Sequence, residues 1–509
     1  MLSENGVLRE QVAEFQEQIT QLKQQLAWFK RQLFGAKSEK RVDIDPAIQA
    51  DLLSQLGVVP IKDAIPATET VTYQRRKKSR DNSVNDSGLR FDASVPVKTI
   101  ILPCTELEGE NAGAYEFISE KETYRLAQRP GSYVILKYVR KVIKRKATQT
   151  MITTPAPSNV LDNSLSDVSF LAGQLVDKFV YHLPLYRQHQ RLQQSGIQLS
   201  RSTLTHLAHR AIGLLSPIVD AQLQHILQSK TLAMDETPIK AGRKQKGKMR
   251  QAYFWPVYGE QDEIVFHYSD TRAARVVNEL LGEFQGTLLT DGYDAYKRYA
   301  QKNSLVTHAE CWAHTRRYFE RAESAEPQAT QQALALIGAL YQHEQTIRDK
   351  KREGNAKLKY RIEHSEPIIK QFWTWCENQC QRHDLLPSNP LTKALKYAMG
   401  RQQSLQVFLT DPEVPIDTNH LERALRPIPM GRKNWLFCWT ELGAKQVGII
   451  QSLLLTCKLH GINPHTYLVD VLQRINQHPA SKTIELTPRV WKEKFAANPL
   501  RSDLETLGQ

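Results

Sequence analysis

Between Thr231 and Ala322 the chain changes its hydrophobic period in a definite order, and that order restricts its fold more than any other feature. Three runs, TLAMDETPIK (231–240), QAYFWPVYG (251–259) and EIVFHYS (263–269), are rich in β-branched and aromatic residues. The polar or glycine-containing segments AGRKQKGKMR and EQD separate them, which predicts an antiparallel meander. RAARVVNELLGEF then has helical spacing, and GTLLT reads as an apolar strand that ends at Asp291 and a glycine turn. LVTHAECWAHTRRYFERA follows as a short strand running into a helix.

Three strands, helix, strand, helix, strand, helix is the order of an α/β ribonuclease-H-like core. Its first part is assigned to 229–324. Residues 325–410 are helical by composition and interrupt the core, 411–460 resume it, and 461–509 read as a C-terminal tail. With 509 residues the chain is too long for a single core, so several folded units are expected.

Upstream, Leu8, Val12, Phe15, Ile19, Leu22, Leu26, Phe29 and Leu33 alternate steps of four and three among Gln, Glu and Lys. That seam predicts a coiled coil over 1–40 that pairs copies of the chain into a homo-oligomer. Residues 41–95, including QRRKKSRDNSVNDSG, read as a flexible basic linker. A small basic β region is assigned to 96–155. Its SYVILKYVRKVIKRK segment is either a strand with a cationic face or an edge strand guarded by Lys and Arg. Over 160–228 a helix, a break at Ser195 and Gly196 and a second helix capped near Ser200 or Ser202 suit a helix-turn-helix. It would offer Arg201, Ser202, Thr203 and Thr205 to a DNA groove.

The 68 Lys and Arg exceed the 54 Asp and Glu, for a net charge of +14, which favours a polyanionic partner such as DNA. The charged N-terminus (Glu4, Arg9, Glu10, Glu14, Glu17) does not resemble a signal peptide, and no apolar run is long enough for a membrane span. A cytoplasmic protein with no membrane partner is expected. The six scattered cysteines fit a reducing compartment.

In the expected fold the first and fourth strands are neighbours, so Asp235 and Asp291 can point into one site. Glu422, on a helix beyond the insertion, could supply a third acid. It stands among Arg423, Arg426, Arg432 and Lys433, a setting suited to phosphate oxygens and metal ions. Clustered carboxylates need about two divalent cations to offset their repulsion, and hard oxygen ligands favour magnesium or manganese over zinc. Taken singly, Asp235 could end a strand, Asp291 could be a turn residue before Gly292, and Glu422 could be a helix-surface acid; their joint placement on this order of elements favours a site.

AMDETP, LTDGYDAY, CWAHTRRYF, TNHLERALRPIPMGRKNWLF and HGINPHTYL resemble the transposases of the IS66 insertion-sequence family, and the resemblance covers most of the chain. It implies a DDE-type catalytic domain in which Asp235, Asp291 and Glu422 bind the metal ions and Asn419 completes an Asn-x-x-Glu signature. It also implies binding to terminal inverted repeats, strand cleavage and transfer into target DNA, and a role for accessory transposition proteins. A nuclease that does not join ends and an inactive DNA-binding derivative are the competing readings. Cys311 and His314 resemble the family's Cys-x-x-His pair. Two such ligands are too few for structural zinc, so a local role is expected. Family members carry paired cysteines between linker and helix-turn-helix, whereas only Cys104 stands here, so 96–155 reads as a zinc-finger-like region that has lost its metal. Trp435 would either stack on a base or pack in the core. Cys376 and Cys380 are expected to be packed thiols.

Overall fold

A computed structural model describes residues 89–506, apart from 94, 109–111, 130, 246, 436 and 437. The predicted coiled coil and nearly all of the predicted linker lie outside the described residues.

The first sheet comprises β1 (Val97–Ile101), β2 (Tyr115–Arg129), β3 (Ser132–Arg145) and β4 (Met151–Thr153). β3 is parallel to β1 and antiparallel to β2 and β4, so the basic SYVILKYVRKVIKRK segment is a central strand and not a guarded edge. Its Arg140 is buried and donates to the Thr154 carbonyl (3.2 Å) and to Thr123 Oγ1 (2.9 Å), so part of its charge serves the sheet itself.

Three helices follow: α1 (Val168–Phe179), α2 (Leu185–Gln194) and α3 (Arg201–Ile226). Ser200 caps α3 by accepting from Thr203 N at 3.0 Å, the start that the sequence signals. Leu204, Leu207, Ala208 and Ala211 bury one face of α3, while Arg201, Ser202 and Thr205 are exposed and Thr203 is half-buried.

The second sheet holds β5 (Thr231–Met234), β6 (Thr237–Gln245), β7 (Lys248–Gly259) and β8 (Ile264–Ser269). After α4 (Ala274–Leu281) come β9 (Gly286–Thr290), α5 (Asp294–Lys302), β10 (Val306–Glu310) and α6 (Trp312–Glu320). The strand order is β8-β7-β5-β9-β10, with β6 also on β7. β7 is antiparallel to both of its neighbours, β8 and β5, while β5, β9 and β10 run parallel. β5 and β6 keep one register along β7, Met234 opposite Val257 and Thr237 opposite Phe254, so they form one long strand whose pairing lapses at Asp235 and Glu236. The expected ten-residue turn AGRKQKGKMR is mostly strand, since Gln245 already pairs with Lys248.

Next come α7 (Pro327–Asp349), α8 (Gly354–Tyr360), α9 (Glu366–Cys380) and α10 (Pro390–Met399). Their core is built on Trp312, Phe319, Ile337, Phe372, Trp373 and buried Cys376, whereas Cys380 is exposed. This core also takes Leu289, while neighbouring Leu288 belongs to the larger core. Successive strand residues face opposite sides, so the helical insertion packs on one face of the sheet. Buried Arg361 binds Glu344 through two hydrogen bonds (2.8 and 2.9 Å) and fixes the chain's return by donating to the carbonyls of Phe408 (2.8 Å) and Val414 (3.1 Å).

The chain re-enters the sheet layer through α11 (Asn419–Leu425), α12 (Pro427–Trp435) and α13 (Glu441–Leu459), then forms α14 (Pro464–Arg474) and α15 (Pro488–Lys494). The segment expected as a tail is thus helical and packed. Tyr467, Leu468, Val471, Leu472 and Trp491 lie in the main core, and buried Asp470 accepts from Trp491 Nε1 at 2.9 Å. Among the described residues no helix is long and apolar enough to cross a membrane.

α13 crosses β8 at Gly448, where a Cβ would come within 2.5 Å of the Phe266 carbonyl oxygen. Gly448→Ala is therefore expected to destabilise the protein by about 1–3 kcal/mol in urea unfolding. Gly338→Ala, in open space on α7, should instead stabilise it by about 0.5–1 kcal/mol.

Candidate active site

The pairing of two parallel strands places the first two acids. Leu289 on β9 lies opposite Ala233 on β5, and the same register carried two residues further sets Asp291 beside Asp235. The i, i+2 spacing turns both toward the same face. One ligand oxygen each from Asp235, Glu236 and Asp291 falls within 4.8 Å of the others.

Glu236 was missed by the sequence reading for a physical reason. In a regular strand it would point to the face opposite Asp235. Because pairing lapses there, the backbone turns, with Glu236 N donating to Asp235 Oδ1 at 2.7 Å, and both acids reach one side. Arg272 Nε (2.8 Å) and Tyr296 Oη (2.8 Å) donate to the Glu236 carboxylate and hold it. Arg272 itself lies over the Tyr293 ring.

Burial and the neighbouring charges of Asp291 and Glu236 push the Asp235 carboxyl up to about 8. Burial and Asp291 push Glu236 up to about 6, against the favourable hydrogen bonds from Arg272 and Tyr296. This cluster of hard oxygens fits a divalent cation, which would offset the repulsion among the carboxylates.

Glu422 is outside that trio, yet its charge contributes to the upward shift at Asp235. Its carboxylate is bound by Arg317 and lies 3.8 Å from His314 Nε2. The closest cation to Glu422 thus comes from α6, not from the basic run that follows it in sequence. Arg317 sits one helical turn after His314, and that spacing was the available signal. Burial, then the Arg317 charge, lowers the basicity of His314, and its buried Nδ1 has no hydrogen-bond partner.

Of the cations next to Glu422 in sequence, Arg426 and Lys433 are exposed and Arg432 donates to the Pro238 carbonyl. Arg423 lines a cavity on an adjacent face of α11. Asn419 starts α11, its backbone N donating to Asp417 Oδ1 at 3.0 Å. The Cys311 thiol accepts from Thr418 N (3.2 Å) and Thr418 Oγ1 (3.3 Å), which ties the start of α6 to the approach to α11. Trp435 is half-buried against the main core.

The insertion reaches the site as well. Arg401 donates from Nη2 to the Gly292 carbonyl (3.0 Å), and its Nε lies 3.4 Å from buried Glu310. A Cβ at Gly292 would come within 2.5 Å of Tyr397 Oη, so the turn after Asp291 is clamped closely by the insertion. Nothing in the local sequence pattern announces this contact.

The profile of the Transposase IS66 family matches residues 163–446, more than half of the chain and all of the acids above. The chain belongs to the IS66 transposase family. The IS66 C-terminal element matches 452–489, from within α13 through α14 to the start of α15, and a profile described as Transposase C of IS166 homeodomain matches 21–99. The chain is similar to two proteins of Sinorhizobium fredii (strain NBRC 101917 / NGR234). It is 27% identical to uncharacterized protein y4jD over 486 residues, covering 90% of this chain and 92% of that protein. It is 28% identical to uncharacterized protein y4hP over 479 residues, covering 88% and 86%.

In this IS66-family chain, Asp235 and Glu236 hold their protons more tightly when folded than when unfolded. The stability tied to those protons is fully present below about pH 4 and is lost as pH rises through about 6 and 8. Calorimetry in chelator should show the melting temperature falling over that range. Asp235→Asn should reduce the fall and melt about 2 °C or more above the parent near pH 8. Magnesium should raise the parent's melting temperature more than the variant's.

Proposed function

We propose that the chain is a DDE-type DNA transposase whose active site is built on Asp235, Asp291 and Glu422, with Glu236 beside them. The observation that carries this reading is the carboxylate cluster of Asp235, Glu236 and Asp291 just beyond the ends of two adjacent parallel strands, with Glu422 near enough for its charge to bear on Asp235. The strand order, three antiparallel strands extended by two parallel ones, supports a ribonuclease-H-like core divided by the helical segment.

Asp235, Asp291 and Glu422 would hold magnesium or manganese, two ions in all, which when bound supply Lewis-acid stabilisation of charge at the scissile phosphate. The protein's own part is to bring the phosphodiester to the cluster and orient it. Glu422 leaves Arg317 to join the acids, and Arg317 is then released toward a phosphate oxygen. Water attacks phosphorus at the element's end and the 3′-oxygen leaves with a proton as a free hydroxyl. That hydroxyl then attacks a phosphodiester of the target, expelling its 3′-oxygen and joining the strands without a covalent enzyme intermediate.

Arg201, Ser202 and Thr203 at the exposed start of α3 would read the terminal inverted repeat. Arg423, Arg426, Arg432 and Lys433 would contact the backbone. The heptad seam would pair two subunits and their two DNA ends, and accessory transposition proteins would join that assembly.

Asp235→Asn should lower metal-dependent cleavage and strand transfer by about a thousandfold or more, while binding to element ends persists. Strand transfer from pre-cut ends at the parental rate would overturn the assignment.

A further inference from the structure

A cavity of about 740 Å³ lies between the helical insertion and α11, lined from one side by α7 and α8 and from the other by Asn419, His420 and Arg423. On a helix of 3.6 residues per turn, those three residues share a face about 100° round from Glu422. The cavity therefore lies beside Glu422, on the next face of α11.

Its walls carry more positive charge than they neutralise. Arg361 is matched by Glu344 and spent on the fold. Against Arg348, Lys351, Arg352, Lys357 and Arg423, the remaining acids of the lining are Glu353 and Asp417. Asp417 already accepts from Asn419 N (3.0 Å) and Nδ2 (2.5 Å) at the start of α11. Arg348 bonds the neutral amide of Gln345 (2.7 Å), and the buried Nε of Arg352 has no hydrogen-bond partner. Burial, then the nearby Arg361 charge, weakens the hold of Lys357 on its proton against the opposing charges of Glu344, Glu413 and Asp411. Cations gathered in a partly enclosed space without enough anions favour an anionic ligand.

We propose that this cavity binds the phosphate backbone of a DNA strand as it leaves the carboxylate site over α11. The insertion is thereby a second wall of the DNA path, supplying Lys351 and Lys357 opposite Arg423. This assignment rests on the reading of the protein as a DNA-processing enzyme, and its test avoids the chemistry.

Full-length protein in chelator would be titrated into a labelled duplex bearing a single-stranded 3′ extension, with affinity followed by anisotropy across a salt series. Lys351→Glu combined with Lys357→Glu should weaken binding about tenfold or more near 0.1 M salt, and flatten the slope of log affinity against log salt by about two. The pair Lys351→Ala and Lys357→Ala, which avoids new acids, should move both readouts the same way by less. Parental affinity and slope in both variants, with unchanged melting temperature, would overturn the proposal. Absence of cleavage in magnesium would sink the catalytic reading while leaving this binding result to stand or fall alone.

Discussion

Carboxylates brought together in a half-buried crevice repel one another, and much of this molecule serves to hold Asp235, Glu236 and Asp291 within 4.8 Å despite that. The register of β5 on β9 sets the two aspartates side by side. The lapse in pairing on β7 turns Glu236 inward, and Arg272 with Tyr296 keeps it there. Arg401 fixes the turn after Asp291 from the insertion side. The unfavourable electrostatics are sustained by well-filled apolar cores that cover both faces of the sheet.

How much of this was legible in the sequence depended on how locally each feature is encoded. The nearness of Asp235 to Asp291 was legible because strand order and hydrophobic period suffice to place them. Glu236 escaped because adjacency normally sends two side chains to opposite faces, and only an interruption in pairing reverses that rule. Arg317 and Arg401 escaped because their contacts with Glu422 and Gly292 span about a hundred residues. The basic strand at 132–145 was open to two readings from composition, and its neighbours on both sides decide for a central strand. The helices after Gly461 looked like a tail because their apolar residues are diluted by polar ones, yet Tyr467 and Trp491 are buried.

The insertion is more than a spacer between two parts of a core. It covers one face of β9 and β10 through Leu289 and Ala309, and it grips the Asp291 turn. Such coupling makes the geometry of the acids sensitive to packing far from them, around Phe372 and Trp373, where a lost methylene group would be felt across the sheet.

The ends of the insertion meet. Trp312 N donates to the Ile416 carbonyl at 3.1 Å, and Thr418 reaches back to Cys311. Closing so long a loop costs little more entropy than closing a shorter one, so the split is cheap at equilibrium. Its effect falls on timing. A chain emerging from the ribosome presents Asp235 and Asp291 well before Glu422, and the full set of acids exists only after the inserted helices have collapsed and brought the last segment home. On the proposed reading, a polypeptide that stops before Glu422 would lack one of the three acids, whatever the state of the rest of its fold.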